Sequence, residues 1–174
     1  MNVLAFAASN SKNSINKKLA TFTANLVADA QVEVLDINDY EMPIFSEDRE
    51  KELGQPQQAK DFYQKLGAAD AIVIAFAEHN GSYTAAYKNL FDWTSRIDMK
   101  VFQNKPMLML ATSPGPGGAA TVLAAATGSA PYFAADVKAS VSIPSFYDNF
   151  DMETNAITNQ EILEQLQQAA QQLK

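Results

Sequence analysis

The chain contains no cysteine. Disulfides, thiolate catalysis and Cys-based metal sites are therefore excluded, and the composition fits a reducing compartment. A single histidine, His79, rules out a multi-His metal site. Basic residues are scarce: 13 Lys and Arg stand against 20 Asp and Glu, for a net charge of -7 over 174 residues. No block of Lys or Arg occurs, so a broad nucleic-acid surface is not expected, because such a surface needs clustered cations to displace counterions. Polybasic attachment to a membrane is not expected either, on the same ground. No apolar run approaches the roughly 20 residues of a spanning helix. The opening MNVLAFAAS lacks a basic n-region and runs directly into apparent structure, so it is not expected to be a signal peptide. The expected location is the cytoplasm. A small anion remains a possible ligand, since local backbone N–H groups bind one whatever the net charge.

What is present is ordinary globular composition, 47% hydrophobic and 19% charged, of a length that suits one domain over residues 1–174. Val3–Ala8 reads as a buried strand. The polar run Ser9–Ser14 follows, and then Ile15, Leu19, Phe22 and Leu26 recur at helical spacing. Gln31–Ile37 alternates as a second strand, and Tyr40–Glu50 has no period and is expected to be an ordered loop. Gln55–Leu66 reads as a helix. Ala71–Ala77 is a continuous apolar strand, followed by the turn Glu78–Ser82. A helix face is expected at Tyr83, Ala86, Tyr87, Leu90 and Trp93. Pro106–Thr112 is a further strand, ending in the glycine-rich Ser113–Gly118. Ala119–Tyr132 suits a buried helix, Val137–Ile143 a last strand, and Ile162 to Leu173 an amphipathic closing helix.

Strands alternating with helices predict a parallel sheet covered on both faces. Three turns with unusual polar or glycine content leave the carboxyl ends of the first, third and fourth strands. In the flavodoxin-like order 2-1-3-4-5 those strands are neighbours, and ligand binds at the switch point between the first and third. The predicted fold is thus an α/β three-layer sandwich with a five-stranded parallel sheet in that order.

The run Glu78-His79-Asn80-Gly81-Ser82-Tyr83-Thr84-Ala85-Ala86-Tyr87-Lys88-Asn89, followed by Asp92-Trp93 and Ser95-Arg96, resembles the NADPH-dependent FMN reductase family, which includes quinone, chromate and azo-dye reductases. Ser9 to Leu19 resembles that family's phosphate loop, Met42-Pro43-Ile44-Phe45 its loop after the second strand, and Ser113-Pro114-Gly115 with Gly117-Gly118 its third loop. Three departures stand out: Ser11 where Arg is frequent, Ala77 where Pro is usual, and His79 where Tyr is usual. The resemblance implies an FMN site at Ser9, Ser11, Ser14, Ile15 and Asn16 for the phosphate. It implies Ala77, Glu78, His79, Asn80 and Gly81, with Ser113, Pro114, Gly115 and Gly117, for the ring. It further implies NADPH or NADH as co-substrate, a quinone or similar small acceptor, and a homodimer or homotetramer. Lys12 and Lys17 are expected to help the phosphate grip in place of the missing Arg.

FMN carries the redox chemistry itself, so no catalytic side chain and no metal ligand is expected. His79 reads as a turn residue, and Trp93, Phe91 and Tyr87 as packing or a subunit contact. There is no G-x-S-x-G elbow and no G-x-x-x-x-G-K-[ST] loop, which argues against a serine hydrolase and a nucleoside-triphosphatase. Two other readings share the fold: a flavodoxin-type electron carrier and a non-flavin regulatory module. The second needs an acidic cluster after the first strand, where Ala8-Ser9-Asn10 stands instead.

Overall fold

The computed structural model describes residues 1–173. The chain runs through β1 (Asn2–Ala8), α1 (Ile15–Ala24), β2 (Gln31–Leu35), α2 (Glu47–Leu53), α3 (Gln57–Ala68) and β3 (Ala71–Phe76). It continues through β4 (Glu78–His79), β5 (Ser82–Tyr83), α4 (Ala85–Ser95), β6 (Pro106–Thr112) and α5 (Ala120–Ser129). It ends with β7 (Asp136–Ile143), α6 (Phe146–Asn149), β8 (Phe150–Asp151), β9 (Ala156–Ile157) and α7 (Gln160–Gln171). Five strands make one sheet in the order β2-β1-β3-β6-β7, with every pairing parallel. Counting only these strands, the order is the expected 2-1-3-4-5.

Both faces of the sheet are apolar, which is why its central strands read as unbroken hydrophobic runs rather than alternating ones. Side chains alternate between faces with period two. Leu4, Phe6, Ile72, Ile74, Phe76, Met107 and Met109 pack on one side with Phe62, Leu66, Leu90, Trp93 and Val122, from α3, α4 and α5. Val3, Ala5, Val73, Ala75, Leu108 and Leu110 pack on the other with Leu19, Ala20, Leu166 and Ala169, from α1 and α7. Burying one Ile, Val or Phe side chain contributes about 1.5–3 kcal/mol. The sheet is accordingly a rigid platform for whatever its loops carry.

Four of the differences between observed and expected boundaries have a visible local cause. The second strand ends at Leu35, because Asp36 accepts the Asn38 N–H at 3.0 Å and turns the chain into the 3-10 turn Ile37–Tyr40. Part of the expected loop after Tyr40 is helix α2, capped by Ser46, whose Oγ accepts the Arg49 N–H at 3.1 Å. None of its residues is buried, so it shows no apolar stripe. Tyr83 belongs to the hairpin β4–β5 rather than to the helix, which starts after the Thr84 cap. α5 stops at Ser129, and Pro131 lies in the 3-10 turn Ala130–Phe133 that follows.

Candidate functional site

The carboxyl ends of β1, β3 and β6 lie at one level of the sheet: Ala8 pairs with Phe76, and Phe76 with Ala111. The first loop (residues 9–14), the second (77–84) and the third (113–119) leave from these ends. Side chains that bond distant backbone tie these loops and the elements flanking them to one another.

Asn16, in the first turn of α1, ties the end of the first loop to the end of β6, where the third begins. Its Nδ2 donates to Thr112 O at 3.1 Å, and its Oδ1 accepts the Thr112 N–H at 3.0 Å. Thr84 joins the second to the first: its Oγ1–H donates to Ala8 O at 3.0 Å, while the same oxygen caps α4 by accepting the Tyr87 N–H at 3.2 Å. Glu78 joins the second to the third through its Oε2, which accepts the Val122 N–H in the first turn of α5 at 2.8 Å. These three ties span 96, 76 and 44 residues of sequence, so the rim is braced as a triangle.

In the first loop, Ser14 is the N-cap of α1; its Oγ accepts the Lys17 N–H at 3.1 Å. Ser9 Oγ accepts the Ser11 N–H at 3.2 Å. Both serines are largely buried, at 7% and 8% exposure, and each keeps its own O–H for a further acceptor. The N–H groups of Ile15 and Asn16 bond no other group among the described residues. Unpaired donors at a helix start, beside two hydroxyls, suit an anion.

The second loop is a two-residue hairpin in which Glu78 pairs with Tyr83 and His79 with Ser82. Its corner residues, Asn80 at φ 53° and Gly81 at φ 74°, are both left-handed, the signature of the Asn-Gly type I′ turn. His79, Asn80 and Gly81 are exposed, and Ala77 is half-buried. In the third loop, Ser113 Oγ–H donates to Gly115 O at 3.1 Å, and Gly115 O also accepts the Ser145 N–H at 2.9 Å. A Cβ at Gly81, Gly115 or Gly117 would meet nothing within 4 Å, so the protein itself leaves the space beside these residues open. Pro114 is exposed at the same edge.

The residues proposed from sequence lie in or beside these three loops, but several make bonds other than those expected. Asn16 is 3% exposed, and its carboxamide braces Thr112 rather than reaching outward. Lys17 is not free for an anion: its Nζ lies 2.7 Å from Asp36 Oδ2. The bond from that ammonium holds the Asp36 carboxyl below the usual carboxylate range. Lys12 is exposed. Gly118 is required by the fold, since a Cβ there would lie 2.5 Å from Ser142 Oγ. Asn89 and Trp93, part of the motif in α4, bind the segment 42–45: Asn89 Oδ1 accepts the Phe45 N–H at 2.8 Å, and Trp93 Nε1–H donates to Pro43 O at 2.7 Å. Thr84 and Thr112 were not singled out from sequence. A Thr directly before a helical stretch is a cap signal, so Thr84 had a local signature, whereas Thr112 had none.

Tyr83, at the foot of the hairpin, also lines an apolar cavity of about 340 Å3 between α4 and α5, floored by Phe76, Tyr87, Phe91, Phe102 and Phe133.

A sequence model of the family described as NADPH-dependent FMN reductase matches residues 1–148. The chain belongs to this family. The match spans all three loops and the residues that tie them. Among curated proteins, an uncharacterised Mycoplasma pneumoniae protein is 30% identical over 150 residues, covering 83% of this chain and 87% of its own length. The quinone reductase of Escherichia coli K12 is 30% identical over 121 residues, 69% of this chain and 64% of the enzyme. Among solved structures, the flavoenzyme NAD(P)H:(acceptor) oxidoreductase FerB of Paracoccus denitrificans superposes with a TM-score of 0.80 at 22% identity, over 99% of this chain and 94% of FerB. Membership places the chain among NAD(P)H-dependent oxidoreductases, with FMN as the family's cofactor. No helix among the described residues is long and apolar enough to cross a membrane.

Proposed function

We propose that the protein passes reducing equivalents from NADH or NADPH to a quinone or a similar small acceptor, in the cytoplasm, through FMN held by the three rim loops. The observation that carries this reading is the braced triangle around a helix start with unpaired donors. An FMN phosphate fits there: the Ile15 and Asn16 N–H groups and the Ser9, Ser11 and Ser14 hydroxyls are donors, and a phosphate offers only acceptors at physiological charge. A helix N-terminus favours an anion by roughly 0.3–1 kcal/mol, up to about 2 when partly buried, which explains how a chain of net charge -7 holds one. Ala77 to Gly81 form one wall for the flat ring, and Ser113, Pro114, Gly115 and Gly117 the other. The open space beside Gly81, Gly115 and Gly117 lets backbone approach a planar ligand closely. When bound, FMN supplies the hydride chemistry. The chain's own part is to hold, orient and shield, and no side chain is assigned an acid or base role.

The apolar face around α4 supports a homodimer. Met99 is 58% exposed at the cavity and Tyr132 is 81% exposed on the adjoining turn, and a second copy would cover both. Light scattering on the FMN-loaded protein should give twice the chain mass.

The functional reading is tested by titrating the purified protein into FMN and then mixing the complex with NADH or NADPH. Quenching of flavin fluorescence at one FMN per chain, followed by bleaching of the flavin absorbance and reoxidation by a benzoquinone, is the expected result. A protein that leaves flavin fluorescence unchanged would overturn it. Binding without nicotinamide-driven bleaching would instead favour an electron carrier.

A further inference from the structure

The third loop enters α5 through two successive left-handed residues, Gly118 at φ 59° and Ala119 at φ 56°. Glycine takes that region freely, but an L-alanine is disfavoured there and keeps it only when its surroundings hold it. α5 has no side-chain cap of its own, because its N-cap position is Ala119. The turn has its own backbone bonds, Ala120 N–H to Gly117 O at 3.1 Å and Leu123 N–H to Ala119 O at 3.3 Å, and two groups from elsewhere bond beside it. On the near side, Ser142 Oγ–H donates to Gly118 O at 2.8 Å, and a Cβ at Gly118 would lie 3.1 Å from the backbone of Ile143 and Pro144, so only glycine fits against the end of β7. On the far side, the Glu78 carboxylate accepts the Val122 N–H at 2.8 Å. Among the described residues, no other side chain bonds a first-turn N–H of α5. The carboxylate also faces the positive end of the helix, which strengthens the contact.

We propose that Glu78 is a positioning residue. Its carboxylate acts through α5, holding Ala119 left-handed and fixing the third loop at a set separation from the hairpin β4–β5. The two walls of the ring site then form one rigid slot rather than two independent loops. The consequence for flavin rests on the functional reading above, whereas the bracing is a property of the chain alone.

The test uses the full chain and three variants: Glu78→Ala, Glu78→Gln and the double variant Glu78→Ala with Ala119→Gly. Amide hydrogen exchange at Val122 is measured without FMN, and FMN affinity by fluorescence quenching. Glu78→Ala should speed exchange at Val122 and weaken FMN about tenfold, the size of one lost charge-assisted bond. Glu78→Gln keeps a carbonyl acceptor and should stay within about threefold of the parent. Ala119→Gly should restore most of the affinity lost in Glu78→Ala, because glycine takes the left-handed conformation without the strain that alanine carries there. If Glu78→Ala fails to fold, folding of the double variant supports the proposal, and its failure to fold overturns it. Unchanged exchange at Val122 in Glu78→Ala overturns it, as does the absence of any glycine rescue. A parent protein that does not bind FMN sinks the flavin reading but leaves the exchange comparison to decide on Glu78.

Discussion

Asn16 illustrates how one residue serves the rim without facing a ligand. Its carboxamide satisfies both polar groups of the Thr112 peptide, and Thr112 is 1% exposed. Leaving a buried donor or acceptor unpaired costs about 1–3 kcal/mol. Asn16→Ala should therefore lower unfolding free energy by about 2 kcal/mol, read as a shift of the urea midpoint, and weaken FMN because the first and third loops separate. Asn16→Asp should not rescue it, since a carboxylate accepts from the Thr112 N–H but repels the Thr112 carbonyl. Gly81 is the second residue with a sharp expectation. Valine at its φ of 74° is strained by about 1–2 kcal/mol, and its side chain would fill the space that the protein leaves open. Gly81→Val should lose both stability and FMN affinity. Gly54 is the control: it has φ 68° and open surroundings but lies off the rim. Gly54, at φ 68° and ψ -156°, sits in a region open essentially to glycine alone, so Gly54→Val should lose at least as much stability while binding FMN as the parent does.

Among the elements, α4 and the segment 42–45 form a unit. Asn89 donates to Met42 O at 3.1 Å and to Pro43 O at 3.2 Å besides accepting from Phe45, and the Phe45 ring packs edge-on against Trp93 at 5.0 Å. Asn89→Ala removes all three bonds. It should free the 42–45 segment to proteolysis at Met42–Ser46, seen as a faster nick by a broad-specificity protease, with a stability loss of about 1–3 kcal/mol. That pairing also shows what a sequence discloses and what it hides. The strands β1, β3 and β6 were legible because burial on both faces leaves uninterrupted apolar residues. The three loops were legible because helix caps and positive-φ turns demand Ser, Asn and Gly locally. Helix α2 was hidden, since nothing in it is buried. The hairpin β4–β5 was read only as a turn: Asn80-Gly81 marks its corner, but two-residue strands carry no period. The roles of Asn16, Thr84, Glu78 and Asn89 were hidden for a common reason: each partner lies 44 to 96 residues away, and no local pattern encodes a long-range backbone partner.

For the molecule as a whole, the aromatic column under the rim sets a limit on stability at high pH. Tyr87 is 3% exposed and lies 5.5 Å from the Phe76 ring, 5.6 Å from Tyr83 and 5.8 Å from Phe91. Burial pushes its hydroxyl well above the ordinary value of 10.0, with a smaller upward push from Tyr83. Burial likewise raises Tyr40. Above about pH 10 the unfolded chain releases these protons while the folded one retains them, so the unfolded state gains and stability falls as pH rises. Below that pH the groups are neutral in both states and the contribution is complete. Asp36 works in the other direction. Its depressed carboxyl stabilises the fold above the ordinary value of 3.8 and loses that effect as pH falls through the lower folded value. Tyr87→Phe keeps the ring contacts and removes the titrating group. Its urea midpoint should match the parent's to within a small offset from pH 7 to 9. Between pH 10 and 11 the parent should fall away from it while FMN-free samples are compared at equal salt. Parallel curves across that window would mean that the Tyr87 hydroxyl reaches water through the cavity between α4 and α5, and the column would then be open rather than sealed.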